Sequence, residues 1–179
     1  MSKGTTALKT ERLLLRRHIM EDAEVLYRNF GLDEEMFKYS GWNPYATPDA
    51  ARETVSRFIA QYAEDRFYGW GIEYEGRLVG TIGAYDYDPE TGSIEIGCSI
   101  ERGRWGKGFG TEAVKAVLHY LTEQEGIQCV TAWCAKDNVG SGKIMEKAGM
   151  RLTDIEEDAL EIGGRKYDKM NYCYQAECI

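Results

Sequence analysis

Arg102-Gly-Arg-Trp-Gly-Lys-Gly-Phe-Gly-Thr-Glu-Ala113 is the stretch on which the fold turns. Ahead of it, Ser93–Ile100 alternates between an apolar set (Ile94, Ile96, Cys98, Ile100) and a small or polar set (Ser93, Glu95, Gly97, Ser99), the period of a strand. Behind it, Phe109, Ala113, Val117, Leu118 and Leu121 mark one face of a helix running from about Gly108 to Glu125. A strand that passes into a helix through Gly106, Gly108 and Gly110 is suited to an anion. The glycines remove side chains so that backbone N–H groups can close on a phosphate, and the helix start adds unpaired donors and partial positive charge. Arg102, Arg104 and Lys107 put cations beside the turn. Gly108-Phe-Gly-Thr-Glu-Ala113 matches the loose dinucleotide pattern, but that pattern belongs after the first strand of a parallel βαβ unit. Neither Gly-Lys pair is followed by the Ser or Thr of a P-loop.

Outward from this turn the chain reads as alternating strands and helices. Tyr68–Tyr74, residues 78–87 and Ser93–Ile100 are strand candidates joined by turns at Glu75-Gly76 and Asp88-Pro-Glu-Thr-Gly92, which implies antiparallel hairpins. Before them lie a short strand, Leu13-Leu-Leu-Arg16, and a helix face of Ala23, Leu26, Tyr27 and Phe30. A loop over 41–48 leads into a helix with Thr47 as N-cap and Pro48 at its first position, expected to bury Ala51, Val55, Phe58, Ile59 and Tyr62. Beyond the long helix, residues 128–134 read as a buried strand and 138–148 as a short helix ended by Gly149. Residues 151–157 and 165–174 read as strands meeting at Gly163-Gly164. The expected class is mixed α/β (α+β), with residues 1–179 forming one domain.

Composition narrows the function classes. A net charge of -8 argues against nucleic acid or an anionic membrane as partner and suits a cationic one such as an amine. No run approaches the ~18 apolar residues of a membrane helix, and the opening residues lack the apolar stretch of a signal peptide. Five cysteines make a disulfide framework unexpected and point to a reducing, cytoplasmic setting. Cys129/Cys134 and Cys173/Cys178 share an odd offset, which on strands turns the two thiols to opposite faces. With only His18 and His119 to help, no metal site is expected, and the thiols read as buried apolar groups.

Four segments in order carry a resemblance: Ile94-Glu-Ile-Gly97, Trp105-Gly-Lys-Gly-Phe-Gly-Thr-Glu-Ala113, Asn138-Val-Gly-Ser141 and Glu146-Lys-Ala-Gly-Met150. They look like the GNAT acetyltransferases, and within them the branch containing the ribosomal-protein N-terminal alanine acetyltransferases. The likeness runs from about Thr10-Glu-Arg-Leu13 to Tyr172. It implies a mixed, mostly antiparallel central sheet flanked by helices, whose fourth and fifth strands (here 93–100 and 128–134) splay to admit pantetheine. It implies acetyl-CoA as co-substrate, contacted by Cys98, Ser99, Ile100, Trp105, Gly106, Lys107, Gly108, Phe109, Gly110, Thr111, Asn138 and Ser141. Trp105 stands where the wider family has Gln or Arg, as this branch does. Gly110 replaces a common Ala, a change expected to be sterically harmless; Met150 replaces a usual Phe, and Cys98 a common aromatic.

Amine acetylation needs a neutral amine, a polarised thioester and a thiolate able to leave. A lysine amine (pKa ~10.4) is neutral in about 1 molecule in 2,500 at pH 7, an α-amine (~7.8) in about 1 in 7. Glu95 is the candidate base, acting through water; the plainer reading is a solvated strand carboxylate. Gly97 marks either a bulge that lets the thioester carbonyl approach N–H groups near Cys98 and Ser99, or a small residue under a neighbour. Asn138 is an N-cap to which the resemblance adds a contact with the pantetheine arm, and Ser141 a hydrogen bond to the departing sulfur. Trp42, Asn43, Tyr45 and Trp70 are read as shaping the acceptor side. Direct attack is expected, since no His is placed to activate Cys98 or Cys134. A non-catalytic acyl-CoA-binding module is the alternative, and a nucleotide-dependent oxidoreductase fits the strand order poorly. The acceptor stays open among protein N-termini, lysines, amino sugars, polyamines and amino-acid-like toxins, and so does a homodimer.

Overall fold

The turns at 75–76 and 88–92 close hairpins, and these hairpins set the architecture. The computed structural model describes residues 2–176. In it β1 (Leu8–Lys9), β2 (Leu13–Arg16), β3 (Tyr68–Tyr74), β4 (Arg77–Asp88) and β5 (Ser93–Ile100) lie side by side, each antiparallel to the last. β6 (Cys129–Ala135) joins parallel to β5, followed by β8 (Arg165–Gln175) and β7 (Arg151–Ile162), giving the order β1-β2-β3-β4-β5-β6-β8-β7. A parallel neighbour needs a crossover, and α3 (Phe109–His119) with a wider turn at Tyr120–Gln124 supplies it. The expected fourth and fifth strands are thus β5 and β6, because two-residue β1 carries no readable period.

The helices cover both faces. α3 and α4 (Val139–Lys147) lie on the face formed by Ile94, Ile96 and Ile100, where Phe109, Val117, Leu118 and Leu121 enter the main core. Each large aliphatic buried there contributes about 1.5–3 kcal/mol. α1 (Asp22–Leu26), its continuation Tyr27–Gly31 and α2 (Pro48–Gln61) form a smaller cluster on the other face with Leu78 and Tyr45. α2 has the expected cap, Thr47 accepting from Ala50 N at 3.1 Å. Its buried stripe is narrower than expected: Ala51 and Val55 are buried, whereas Ile59 is 38% exposed. Thr54 takes a buried place instead, because its hydroxyl can donate to Pro44 O at 3.1 Å. β7 runs five residues past the expected end at 157, through Asp-Ala-Leu-Glu-Ile162 up to the Gly163-Gly164 turn. Cys129 and Cys134 lie on β6, half-buried and buried; Cys178 lies outside the described residues.

The decisive irregularity is in the middle of the sheet. β5 and β6 pair only at Ser93↔Cys129, Ile94↔Val130 and Glu95↔Thr131. From Ile96 onward they part, while β5 keeps its ladder with β4 to Ile100 and β6 its ladder with β8 to Ala135. The result is a wedge with Glu95 at its vertex.

Candidate active site

The wedge exposes a strand edge. Ile94 O accepts from Thr131 Oγ1 and Ile100 O from Trp105 Nε1 at 2.6 Å, whereas Glu101 N donates back to Val79 O on β4. Backbone groups alternate sides along a strand, so Ile96 and Cys98 turn their N–H and C=O into the gap. The amide facing the gap is that of Cys98, and that of Ser99 turns towards β4. No bulge occurs at Gly97: it sits in regular register opposite Gly83, and the β4–β5 irregularity falls between Tyr85 and Asp88. Gly97 is there for room, since a Cβ on it would lie 3.0 Å from the Tyr85 hydroxyl.

At the open end of the gap lies the glycine turn. Gly106 and Gly108 have φ of +73° and +80°, the left-handed region open to glycine. Gly108 is the N-cap of α3 and has no side chain to satisfy the first amides. The backbone N–H groups of residues 106–111 donate to no acceptor among the described residues. Six consecutive free donors at a helix N-terminus form an anion cradle. The flanking cations are less free than their sequence suggests. Arg102 pairs with Asp33 at 2.8 Å and Arg104 with Glu101 at 3.3 Å, which leaves Lys107 as the cation of the three with no carboxylate partner among the described residues. Arg12 holds the turn from outside: its Nη1 donates to Lys107 O at 2.9 Å and its guanidinium lies 4.6 Å over the Phe109 ring. Its Nε–Glu112 contact is 2.7 Å. Burial alone would raise the Glu112 carboxyl, but hydrogen bonds from Thr10 and Arg12 outweigh it and hold the group below its ordinary value.

On the α1/α2 face of the vertex, Glu95 accepts from Trp133 Nε1 of β6 at 3.1 Å. Tyr85 of β4 stands directly across the ladder from Glu95, and partial burial and the Glu95 charge push its phenol above its ordinary value. On the opposite wall Asn138 caps α4, its Oδ1 accepting from Ser141 N at 3.4 Å. Desolvation pushes Cys98 up to about 12 and Cys134 up to about 11.

The chain is similar to known acetyltransferases. A profile of the family described as acetyltransferase (GNAT) domain matches residues 12–151. The chain belongs to the GNAT acetyltransferase family. It is 30% identical over 167 residues to the uncharacterized N-acetyltransferase YoaA of Bacillus subtilis (strain 168), covering 92% of this chain and 94% of the relative. A GNAT-family acetyltransferase from Bacillus anthracis superposes with a TM-score of 0.84 at 26% identity, over 95% and 98% of the two chains. At 16% identity the fold alone is shared with a ribosomal L7/L12 α-N-protein acetyltransferase solved with coenzyme A (TM-score 0.85; 96% and 99% covered). This GNAT protein is accordingly an acetyl-CoA-dependent N-acetyltransferase. Among the described residues no helix is long and apolar enough to cross a membrane, and no cluster of His, Cys, Asp or Glu could hold a metal ion.

Several expected site residues stand elsewhere in this GNAT fold. Trp105, 49% exposed, caps the Ile100 carbonyl rather than pointing along the cradle. Gly110 is not sterically neutral: a Cβ there would come within 2.6 Å of Ile144 Cδ1, so the glycine lets α3 and α4 meet closely. Trp70 is core, fully buried in the main cluster on the α3 face, with Nε1 donating to Thr6 O at 2.6 Å. Tyr45 is buried in the cluster under α1 and α2, and Asn43 engages its amide with Gly31 O and the Tyr45 N–H. Of that group Trp42 remains open to solvent, at 67% exposure. Two hollows of about 360 and 570 Å³ flank Glu101 on the α1 side, outside the wedge. Three residues about the site escaped the sequence reading: Arg12, Tyr85 and Trp133. Trp133 shares its strand face with Thr131, opposite Glu95, but only the β5–β6 register reveals it.

Proposed function

We propose that the enzyme transfers acetyl from acetyl-CoA to a primary amine, a protein N-terminus or a small-molecule amine, by direct attack with Glu95 as water-mediated base. The observation that carries this reading is the position of Glu95, on the last rung before β5 and β6 separate. In the proposed complex the pyrophosphate lies on the amides of residues 106–111 and the pantetheine arm runs along the gap past Asn138. The thioester oxygen accepts from the Cys98 N–H, which polarises the carbonyl. The amine approaches from the face bearing Ser93, Glu95, Gly97 and Ser99. Its surplus proton passes through a water to the Glu95 carboxylate, and the freed lone pair attacks the carbonyl carbon. The tetrahedral adduct collapses with loss of the CoA thiolate, whose pKa needs little acid help; Ser141 hydrogen-bonds the sulfur as it leaves, and the extra proton on the former amine nitrogen passes to the thiolate. The products are the N-acetyl amine and CoA thiol, with one proton released. We read residues 1–179 as a single cytoplasmic domain doing this chemistry.

A panel of an alanine-initiated peptide, an N-acetylated lysine peptide, spermidine and glucosamine tests the reading by thiol release and mass spectrometry. The reading predicts acetyl on the nitrogen of at least one acceptor with no acetyl on the enzyme. An acetylated cysteine that forms and decays at the turnover rate, or no transfer to any amine, overturns it.

A further inference from the structure

Glu95 is flanked on one face of the sheet by an aromatic side chain from each neighbouring strand, Tyr85 of β4 and Trp133 of β6. Tyr85 is its direct cross-strand neighbour on β4, and Trp133 Nε1 donates to its carboxylate from β6 at 3.1 Å. β6 is the strand that leaves β5 immediately beyond Glu95, so Trp133 reaches back across the first open position of the wedge to meet it. Tyr85 reaches over Gly97, which has no side chain to obstruct the hydroxyl. Trp133 is itself fixed: the Lys169 ammonium lies 5.5 Å over its ring and 3.8 Å from Glu156 Oε1. Both side chains are neutral. They fix the direction of the carboxylate without cancelling the charge that a proton acceptor needs, whereas an Arg or Lys partner would pair it off.

We propose that Tyr85 and Trp133 are positioning residues for the acetyl transfer, acting through Glu95 to aim its free lone pairs at the water that collects the amine proton. This rests on the reading of Glu95 as base. A carboxylate swinging about its strand would find that water in only a fraction of its rotamers, and misplacement of about an ångström costs up to 10²-fold in rate. A purely structural staple across the vertex would instead contribute to stability and to the width of the cleft.

A double-mutant cycle separates these roles. Trp133→Phe and Tyr85→Phe each remove one donor and keep the ring; Glu95→Gln keeps an acceptor oxygen for both donors and removes the base. Initial rates of thiol release are measured with acetyl-CoA and the alanine-initiated peptide, and with water as acceptor where the peptide is not taken. Each Phe variant is expected to lose about tenfold in kcat with the acetyl-CoA KM within twofold of wild type, and to lose nothing further in the Glu95→Gln background. If either Phe variant lowers kcat by the same factor with and without Glu95→Gln, that residue does not work through Glu95, and the proposal fails for it. If the Phe variants act mainly on the acetyl-CoA KM or on Tm, they are staples of the cleft and the proposal fails. If Glu95→Gln itself turns over like wild type, the base assignment falls first, and the positioning proposal falls with it. Tyr85 is 45% exposed, so its variant keeps the test valid should Trp133→Phe fold poorly.

Discussion

At the residue scale, the thiols decide between direct attack and a covalent relay. With Cys98 at about 12 and Cys134 at about 11, both are protonated at neutral pH. A thiol at ~11 is thiolate in about 1 molecule in 10⁴ at pH 7, against ~3% for an ordinary cysteine. Alkylation of either residue is therefore expected to be at least 100-fold slower than that of a model thiol at pH 7. Its rate should rise about tenfold per pH unit up to pH 10, as mass spectrometry of iodoacetamide-treated protein would show. Ser141→Ala is expected to lower kcat no more than about fivefold, because a hydroxyl is too weak an acid to carry the leaving group and the departing thiolate needs little help. A loss near 10³-fold in steady-state thiol release would give Ser141 a larger role than this.

At the scale of elements, the turn and the two helices behind it carry the donor site. Arg12→Ala removes the outer brace of residues 107–109 without touching the free amides. Calorimetry is expected to show acetyl-CoA binding several-fold weaker, while kcat at saturation changes less than twofold. Gly110→Val places a side chain where a Cβ already meets Ile144 at 2.6 Å, so α3 and α4 must separate. Overpacking of this kind costs about 1–3 kcal/mol and should appear as a Tm lowered by several degrees. These elements were legible beforehand. The strand period of 93–100, the glycine turn and the stripe Phe109–Ala113–Val117–Leu121 are local signals, and local signals survive in a single sequence. The clamp about Glu95 was not, because it depends on the parallel register of β5 and β6, set by a crossover of 28 residues between Ile100 and Cys129. Trp70 misled for the same reason: an aromatic on a strand looks alike on either face until the partner strands are known. Arg12 was visible as part of Thr10-Glu-Arg-Leu13, but only its contact with Lys107 O shows what it does.

At the scale of the whole molecule, the small cluster under α1 and α2 is tied to the sheet by Asp22. Its side chain, 4% exposed, accepts from both Arg16 terminal nitrogens at 2.9 Å, from His18 Nδ1 at 3.0 Å and from Ile19 N at 3.1 Å. Burial raises this carboxyl, but the hydrogen bonds from His18, Arg16 and Ile19 win and hold it far below the usual range. A depressed carboxyl stabilises the fold fully above its unfolded value near ~3.9, and that contribution is lost as pH falls towards the folded value. Tm is therefore expected to be flat from pH 7 to 5 and to fall below about pH 4. Asp22→Asn, which leaves the Arg16 charge short of a partner, should cost about 3 kcal/mol and lower Tm by about 10 °C at pH 7. The completed enzyme is tested most directly by turnover. With saturating acetyl-CoA and the best primary amine of the panel, kcat/KM is measured against pH for wild type and Glu95→Gln, with acetyl-CoA affinity measured alongside. A loss of about 10²-fold or more, a changed pH profile and acetyl-CoA binding within twofold of wild type are predicted. Equal rates and superimposable profiles would contradict the account at its centre.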